Sequence, residues 1–334
     1  MRIGIVGAGW AAAEHCKTLA RLDGVEIAAV ADPDLARSTE LAARYGCAPY
    51  ATAAELIEAG ELDAVLVATP PGAHREAAVA ACEAGLAVFL EKPISRSLED
   101  AEAIVMAATA ARSVCAVGYQ WRAIRALEHL AAALRKDRVR HLVSEGIGIT
   151  QARSWFLDDA LSGGLISERA SHHIDLQRHV GGEIVAVQAA ASTIEDHELG
   201  SPLGQEQATR SGVLLLLHFA SGALGAVHVL WVPEDYPSWH RLSVFGAASV
   251  YELELDPAFA LRRREGMPLL PAREDAHPFA AGLERFVEAA RRSDPGSVAC
   301  SPLEAARTLA VVVACEAALA SGVTAPVPGI GSGT

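Results

Sequence analysis

The sequence predicts an α/β chain in two domains: a doubly wound parallel sheet at the N-terminus, then a domain of the α+β class. Three observations carry that reading. Short apolar runs alternate with helical stretches over the first 120 residues, at the spacing of βαβ units. A glycine-rich turn, Gly7-Ala8-Gly9-Trp10-Ala11-Ala12, follows the first apolar run and opens the first helical stretch. After Gln120 the alternation gives way to strand-like runs interrupted by few helices.

In order, residues 2–7 (RIGIVG) read as a buried strand ending on glycine, 11–21 as a helix, and 25–31 (VEIAAVA) as a second strand ending at Asp32. A helix at 34–44 and a polar turn lead to a strand at 64–68, which stops at Thr69-Pro70-Pro71. A helix at 73–84, a strand at 86–90 running into Glu91-Lys92-Pro93, a helix at 97–111 and a strand at 114–118 complete the pattern. The second half reads as a helix at 123–135, strands at 140–149, a glycine-flanked helix at 164–180, and strands at 184–194, 212–219, 223–231 and 240–246. Helices at 278–291 and 303–321 close it. Domains are therefore placed at 1–120 and 121–327, with 328–334 as a flexible tail.

Composition excludes several function classes. The 334 residues suffice for two domains, and 51% apolar against 21% charged residues is a globular balance. A net charge of −13 argues against nucleic acid or an anionic membrane as partner. The six cysteines form no C-x-x-C and sit among aliphatics, as core thiols of a reducing compartment do. The uncharged stretch 211–233 is long enough to span a bilayer, but His218, Ala220-Ser221-Gly222, Gly225 and His228 divide it into a hairpin. A soluble, cytosolic protein is expected.

The glycine turn is a G-x-G-x-x-A motif. Gly7 permits the tight turn, Gly9 lets a pyrophosphate approach the backbone, and Ala12 lets helix and strand pack closely. The following helix presents free N–H groups and the positive end of its dipole to the phosphates. Asp32, at the end of the second strand, is placed to accept from a ribose diol. A carboxylate there repels a 2′-phosphate, so NAD is favoured over NADP, although Arg37 blurs the preference.

Only Lys17, Lys92 and Lys136 among the 28 cationic residues are lysines. Lys92 stands at the carboxyl end of a strand, where open α/β sheets bind ligands. Unlike arginine, lysine can be tuned to exchange a proton.

Taken in order, the glycine motif, Ala68-Thr69-Pro70-Pro71 with His74, Glu91-Lys92-Pro93 and Val117-Gly118-Tyr119-Gln120-Trp121-Arg122 form a more specific signature. So do Gly163-Gly164, Glu168, His172, Asp175-Leu176 and Gly181-Gly182. Together they resemble the glucose-fructose oxidoreductase / inositol dehydrogenase (Gfo/Idh/MocA) family over nearly the whole chain. The resemblance implies a Rossmann domain binding NAD or NADP, and a C-terminal α+β domain with an open, mostly antiparallel sheet. It also implies a sugar, cyclitol or related polyol held between them. For the cofactor it implies Gly7, Gly9, Trp10, Ala11, Asp32, Ala68, Thr69, Pro70, His74, Glu91, Lys92 and Gln120. Lys92 then bonds the reacting oxygen, and His172 is the acid/base. Glu168 stands where Asp is common and Tyr119-Gln120 where Phe-Asn is common.

Glu168, His172, Asp175 and His179 fall at i, i+4, i+7 and i+11, one face of a helix. That face admits a catalytic reading, a purely structural one and a metal site. The catalytic reading is preferred, with no metal, and His173 points elsewhere as a structural residue. Arg122, Trp155, Glu168, His172 and Lys92 are the candidates for substrate. Arg122 and Arg153 suit an anionic substituent, while Trp155, Tyr236, Trp239 and His240 suit sugar faces, core packing being an equal reading for each.

The expected activity is hydride transfer between nicotinamide and a hydroxyl-bearing ring carbon. The alternatives are a lyase or glycosidase working through transient oxidation, and a non-catalytic NAD-binding sensor. The resemblance further implies a homodimer or homotetramer joined through the C-terminal sheet.

Overall fold

The computed structural model describes residues 1–59, 61–149, 162–195, 208–233, 236–256, 260–263 and 278–331. The chain divides into two compact units, Met1–Ala123 with Ala276–Arg307 and Ile330–Thr334, and Ile124–Asp275 with Thr308–Gly329.

The first unit holds six parallel strands: β1 (Arg2–Val6), β2 (Glu26–Ala31), β3 (Ala48–Tyr50), β4 (Ala64–Val67), β5 (Ala87–Leu90) and β6 (Cys115–Val117). Their order is β3-β2-β1-β4-β5-β6. Ile3, Ile5 and every residue of β4 are fully buried, as unbroken apolar runs must be when helices cover both faces. The helices between them are α1 (Trp10–Leu19), α2 (Leu35–Tyr45), α3 (Ala53–Ala59), α4 (His74–Glu83) and α5 (Leu98–Ala111). Local chemistry sets their ends. Asp34 caps α2 by accepting from the N–H of Ala36 at 3.1 Å, and Gly46 ends it in the left-handed region. Ser97 caps α5 through the N–H of Asp100.

Three features depart from expectation. The polar turn expected after α2 contains β3 and α3, elements too short to show a readable period. The second domain was expected to run unbroken from 121 to 327, yet Ala276–Arg307 clusters with the first unit. The reason is α8 (Pro278–Arg292), whose stripe of Leu283, Phe286 and Val287 is fully buried in the core that holds Ile3 and Phe89. Phe286 meets Phe89 edge-on at 5.6 Å. A sequence shows that such a stripe must be covered but not which sheet covers it. The expected tail is likewise tied in part, since the N–H of Gly331 reaches Glu102 at 3.4 Å; residues 332–334 lie outside the described residues.

The second unit contains α6 (Arg125–Leu134), β7 (Val139–Ile149), a π-helical turn (Ile166–Ala170) and α7 (Ser171–Gly181). They are followed by β8 (Ile184–Glu195), β9 (Ala208–Phe219), β10 (Leu224–Val232), β11 (Trp239–Gly246), β12 (Val250–Asp256), β13 (Leu261–Arg263) and β14 (Ala325–Pro326). The last helix, α9 (Pro302–Ser321), belongs to this unit from Thr308 onward. The eight-stranded sheet runs β13-β12-β11-β7-β10-β9-β8-β14, antiparallel except where β7 lies parallel to β10. The uncharged stretch forms the β9–β10 hairpin, turned at Gly222 with a φ of 84°. Among the described residues no helix is long and apolar enough to cross a membrane.

One contact aligns the second unit's helix with its sheet. Going down β7, Gly148, Gly146, Ser144 and Leu142 lie beneath Arg169, His173, Gln177 and Gly181. Four helical residues advance about 6 Å and two strand residues about 6.6 Å, so the two repeats stay in step. At Gly148 and Gly146 a methyl group would overlap Arg169 and His173, so glycine is what lets these polar side chains reach the sheet.

Candidate active site

The carboxyl ends of the parallel strands bring together the loops after β1, β4, β5 and β6, at the place where ligands bind in such sheets. Gly7 has a φ of 96°, and a Cβ there would lie 2.7 Å from the carbonyl oxygen of Ala68. Its N–H donates to the carbonyl of Ala31 at 2.7 Å, closing the turn. Gly9 differs: its φ is −79°, and a Cβ would meet nothing within 4 Å. Nothing within the fold requires glycine at position 9, whereas a close-lying phosphate would.

Helix α1 begins at Trp10 with no side-chain cap and no acidic residue in its first turn, leaving its N–H groups to an anion. Asp32 accepts from the N–H of Ala8 at 2.8 Å through one oxygen and from Asp34 at 2.9 Å through the other. It thereby ties the glycine loop to the end of β2 while each oxygen keeps a lone pair for a ribose hydroxyl. These residues fit a dinucleotide. Beside them Trp10 is half exposed and tilted against Phe279, Ala11 is half-buried, and Ala12 is buried against the strand.

The loops after β4 and β5 are held by buried groups. His74 is fully buried, with its ring nitrogens facing the carbonyls of Thr69 at 2.9 Å and Ile94 at 3.2 Å. Burial lowers its pKa, an effect that the two carbonyls only partly oppose. His74 was expected to touch cofactor; here both of its nitrogens brace the backbone instead. Ala68, Thr69 and Pro70 follow directly on β4, with Pro70 exposed.

Glu91, at the end of β5, is held on both oxygens. One oxygen lies 2.5 Å from Nε2 of His15, and the other accepts from the N–H of Lys92 at 3.0 Å. Burial pushes its carboxyl up, but the hydrogen bond and charge of His15, followed by the Lys92 charge and N–H, outweigh it, leaving the group below its ordinary value. Lys92 itself is half-buried and precedes Pro93 through a cis peptide. Gln120 begins a 3₁₀ turn (Gln120–Ala123) and lines a cavity with His15, Glu91, Gly118 and Phe279.

Arg122 does not present itself to a substrate. It is 6% exposed, and both guanidinium nitrogens reach Glu304 at 3.3–3.4 Å. This is an ion pair within the first unit, which the sequence could not show because its partner lies 182 positions away. Trp155 and Arg153 lie outside the described residues.

In the second unit Glu168 lies in the π-helical turn and is 7% exposed, and His172 follows in the first turn of α7, half-buried. The regular helix expected over 164–180 is thus two segments, and π turns occur often at functional sites. Asp175 is buried and accepts from the hydroxyl of Thr308 at 2.8 Å, while His179 is exposed. Among the described residues no group of three or more acidic, His or Cys side chains could hold a metal.

Beneath this segment lies a cluster the sequence reading missed. His173 Nε2 is 3.1 Å from His240 Nδ1, and Arg169 stands 3.5 Å from the far nitrogen of His240 while donating to the Ile149 carbonyl at 3.0 Å. Burial, then the charge of Arg169, brings His240 down to about 3; burial also lowers His173. Of the aromatics proposed for sugar contact, His240 is buried here and Tyr236 is exposed. Also missed was His15, legible only as a histidine in the otherwise apolar stripe Ala12, Cys16 and Leu19 of α1.

Residues 1–119 match the oxidoreductase family model with an NAD-binding Rossmann fold, and 127–252 match the GFO/IDH/MocA C-terminal domain. Inositol 2-dehydrogenase 2 of Saccharopolyspora erythraea is 30% identical, with 98% of this chain and 95% of that protein covered. The chain belongs to the Gfo/Idh/MocA family. Another member, the rhizopine catabolism protein MocA of Rhizobium meliloti, is 29% identical over 92% of both chains. The fold matches levoglucosan dehydrogenase in complex with NADH and L-sorbose, at a TM-score of 0.84, 20% identity and 99% of each chain. The first unit of this Gfo/Idh/MocA oxidoreductase is accordingly an NAD-binding Rossmann domain.

Proposed function

We propose that this oxidoreductase transfers a hydride between NAD and a ring hydroxyl of a sugar, cyclitol or related polyol. The single observation that carries the reading is Gly9. Its side-chain space is empty in front of an uncapped helix, next to the strand β2 that Asp32 directly follows, within a family whose relatives include inositol 2-dehydrogenase 2. The carboxylate of Asp32 favours NAD over NADP, since a 2′-phosphate would meet a like charge.

Bound NAD supplies the hydride acceptor. The chain's own groups handle the other half of the reaction. His172 takes the hydroxyl proton as a general base, and Lys92 donates a hydrogen bond to the same oxygen as negative charge develops there. Glu168, one turn before His172, orients the substrate or the imidazole. The protein is cytosolic and works as a homodimer or homotetramer through the sheet face that leaves Val143, Leu214 and Leu224 exposed.

The test is NADH formation at 340 nm across a panel of sugars, cyclitols, aminosugars and sugar acids. Turnover with one structural subset is expected, and Lys92→Ala and His172→Ala each abolish most of it while NAD still binds. Silence across the panel, with NAD bound, points instead to a concealed redox cycle or a sensor.

A further inference from the structure

His240 of β11 touches the helical segment of the second unit at two points, and each lies directly after a group assigned to the substrate. Arg169 follows Glu168 in the π-helical turn, and its guanidinium stands 3.5 Å from Nε2 of His240. His173 follows His172 in α7, and its Nε2 lies 3.1 Å from Nδ1 of the same His240 ring. The strand between them makes room. His240 is the ladder partner of Gly146 on β7, and a Cβ on that glycine would overlap the His173 ring and stand 3.0 Å from Nδ1 of His240.

The arginine settles where the hydrogens lie. A guanidinium only donates, so the His240 nitrogen that faces it is the bare one. Both imidazoles are buried, and burial keeps them neutral, with one N–H each. His240 therefore carries its hydrogen on Nδ1 and donates it to Nε2 of His173, whose own hydrogen is then on Nδ1. The contact runs one way, from Arg169 through His240 to His173.

This bridge spans a change of winding. Ile166–Ala170 is wound as a π turn and Ser171–Gly181 as an α-helix. Tightening the turn to α-helical winding would rotate Glu168 about the axis relative to His172. A ring fixed in the sheet and bonded on both sides of the junction opposes that rotation, because rewinding breaks one bond or the other.

We propose that His240 is a positioning residue for Glu168 and His172: by accepting from Arg169 and donating to His173, it holds the π turn and α7 in one relative setting. The part that Glu168 and His172 play in the reaction rests on the reading under Proposed function; the bridge itself does not.

The hydrogens can be read directly. In protein carrying 15N-labelled histidine, two-bond correlations from the ring C–H protons show which nitrogen of each of the 12 imidazoles is bare, and single substitutions assign the signals. His173 and His240 should both show a bare Nε2, the reverse of the form that a free imidazole side chain favours. Three variants then divide the bridge. His240→Asn keeps a donor towards His173, His240→Gln keeps an acceptor towards Arg169, and His240→Phe keeps neither. His173 should hold its hydrogen on Nδ1 in His240→Asn and return it to Nε2 in His240→Phe. On a panel substrate, kcat and kcat/KM should fall together, about tenfold in His240→Phe and about threefold in His240→Asn, while NADH fluorescence shows NAD affinity within about twofold. Amide exchange over the π turn should quicken in His240→Phe.

A bare Nδ1 on His240 overturns the bridge. The expected hydrogens with kcat unmoved in a folded His240→Phe overturn the positioning role. If His240→Phe does not fold, the pair of amide variants decides: His173 keeping its hydrogen on Nδ1 in His240→Asn but not in His240→Gln supports the bridge, and no difference overturns it. The expected hydrogens and quickened exchange in a protein that oxidises no polyol support the bridge and remove the dehydrogenase reading instead.

Discussion

His173 and His240 meet nitrogen to nitrogen at 3.1 Å, one from the helix that carries His172 and the other from strand β11. They can do so because Gly146 of the intervening strand β7 leaves the space a side chain would fill. Under the role proposed for His172, this helix must not roll on its sheet, since small misplacements of a reacting group cost large factors in rate. The polar contacts of Arg169, His173 and Gln177 along β7 provide that registration.

Gly146→Ala should therefore act on both stability and turnover. The added methyl overlaps the His173 ring and forces α7 away from β7, a change expected to cost about 1–3 kcal/mol. Urea unfolding should show that loss, and turnover should fall with NAD affinity unchanged. A variant as stable and active as the parent would mean that the helix does not depend on this register.

The two glycines of the dinucleotide loop should separate folding from binding. Gly7→Ala places a Cβ 2.7 Å from a backbone oxygen at a φ of 96°, and the folded state should weaken whether or not NAD is present. Gly9→Ala has free space and an ordinary φ, so its thermal midpoint without NAD should equal the parent's. Its NAD affinity should fall about tenfold or more, about 1.4 kcal/mol, as calorimetric titration would show. Unchanged affinity would place the pyrophosphate elsewhere.

Acid should destabilise the protein before the carboxylates titrate. The pKa values of His74, His173 and His240 are all lowered in the fold, His240 to about 3, chiefly by burial. The unfolded chain takes up protons on these rings below about pH 6.5 while the folded chain does not. Stability is thus full above that pH and falls as the pH drops through it towards 3. Glu91 acts in the same direction but only at lower pH, because its folded value lies below the ordinary carboxylate range. Urea midpoints measured between pH 7.5 and 5 should decline steadily, and less steeply in His240→Asn; a flat profile would contradict the burial of neutral imidazoles.

Glu304→Ala tests whether Arg122 serves the fold or the substrate. The guanidinium is buried and Glu304 is its partner at 3.3 Å, so removing the carboxylate should cost roughly 2 kcal/mol of unfolding free energy. KM for the polyol should not change. An increase in KM in Arg122→Met, with its urea midpoint intact, would return Arg122 to the substrate site.

Much of the candidate dinucleotide loop was legible in the sequence because its backbone requirements are local. Gly7, Asp32 and the strand-to-helix alternation sit within a few tens of residues of one another, and backbone geometry alone demands a glycine where φ is 96°. Lys92 stood out for a similar reason, as a rare lysine at a strand end. Long-range choices were not legible. His74 looked like a ligand-facing residue, but it is fully buried and braces its loop against Thr69 and Ile94. Arg122 looked like an anion binder until Glu304 was found against it.

The sequence by itself determined the kinds of elements, the class of each sheet and the residues able to hold a dinucleotide, because periodicity, turn chemistry and helix-end electrostatics act over a few residues. The tertiary structure alone decided which polar side chains are spent on the fold: His15 on Glu91, His173 on His240, Arg122 on Glu304, and the apolar stripe of α8 on the first unit's core. The physical reason is burial. A buried imidazole, carboxylate or guanidinium must find its partner wherever the chain brings one, and that partner lies 67 to 182 positions away, beyond the reach of any local pattern.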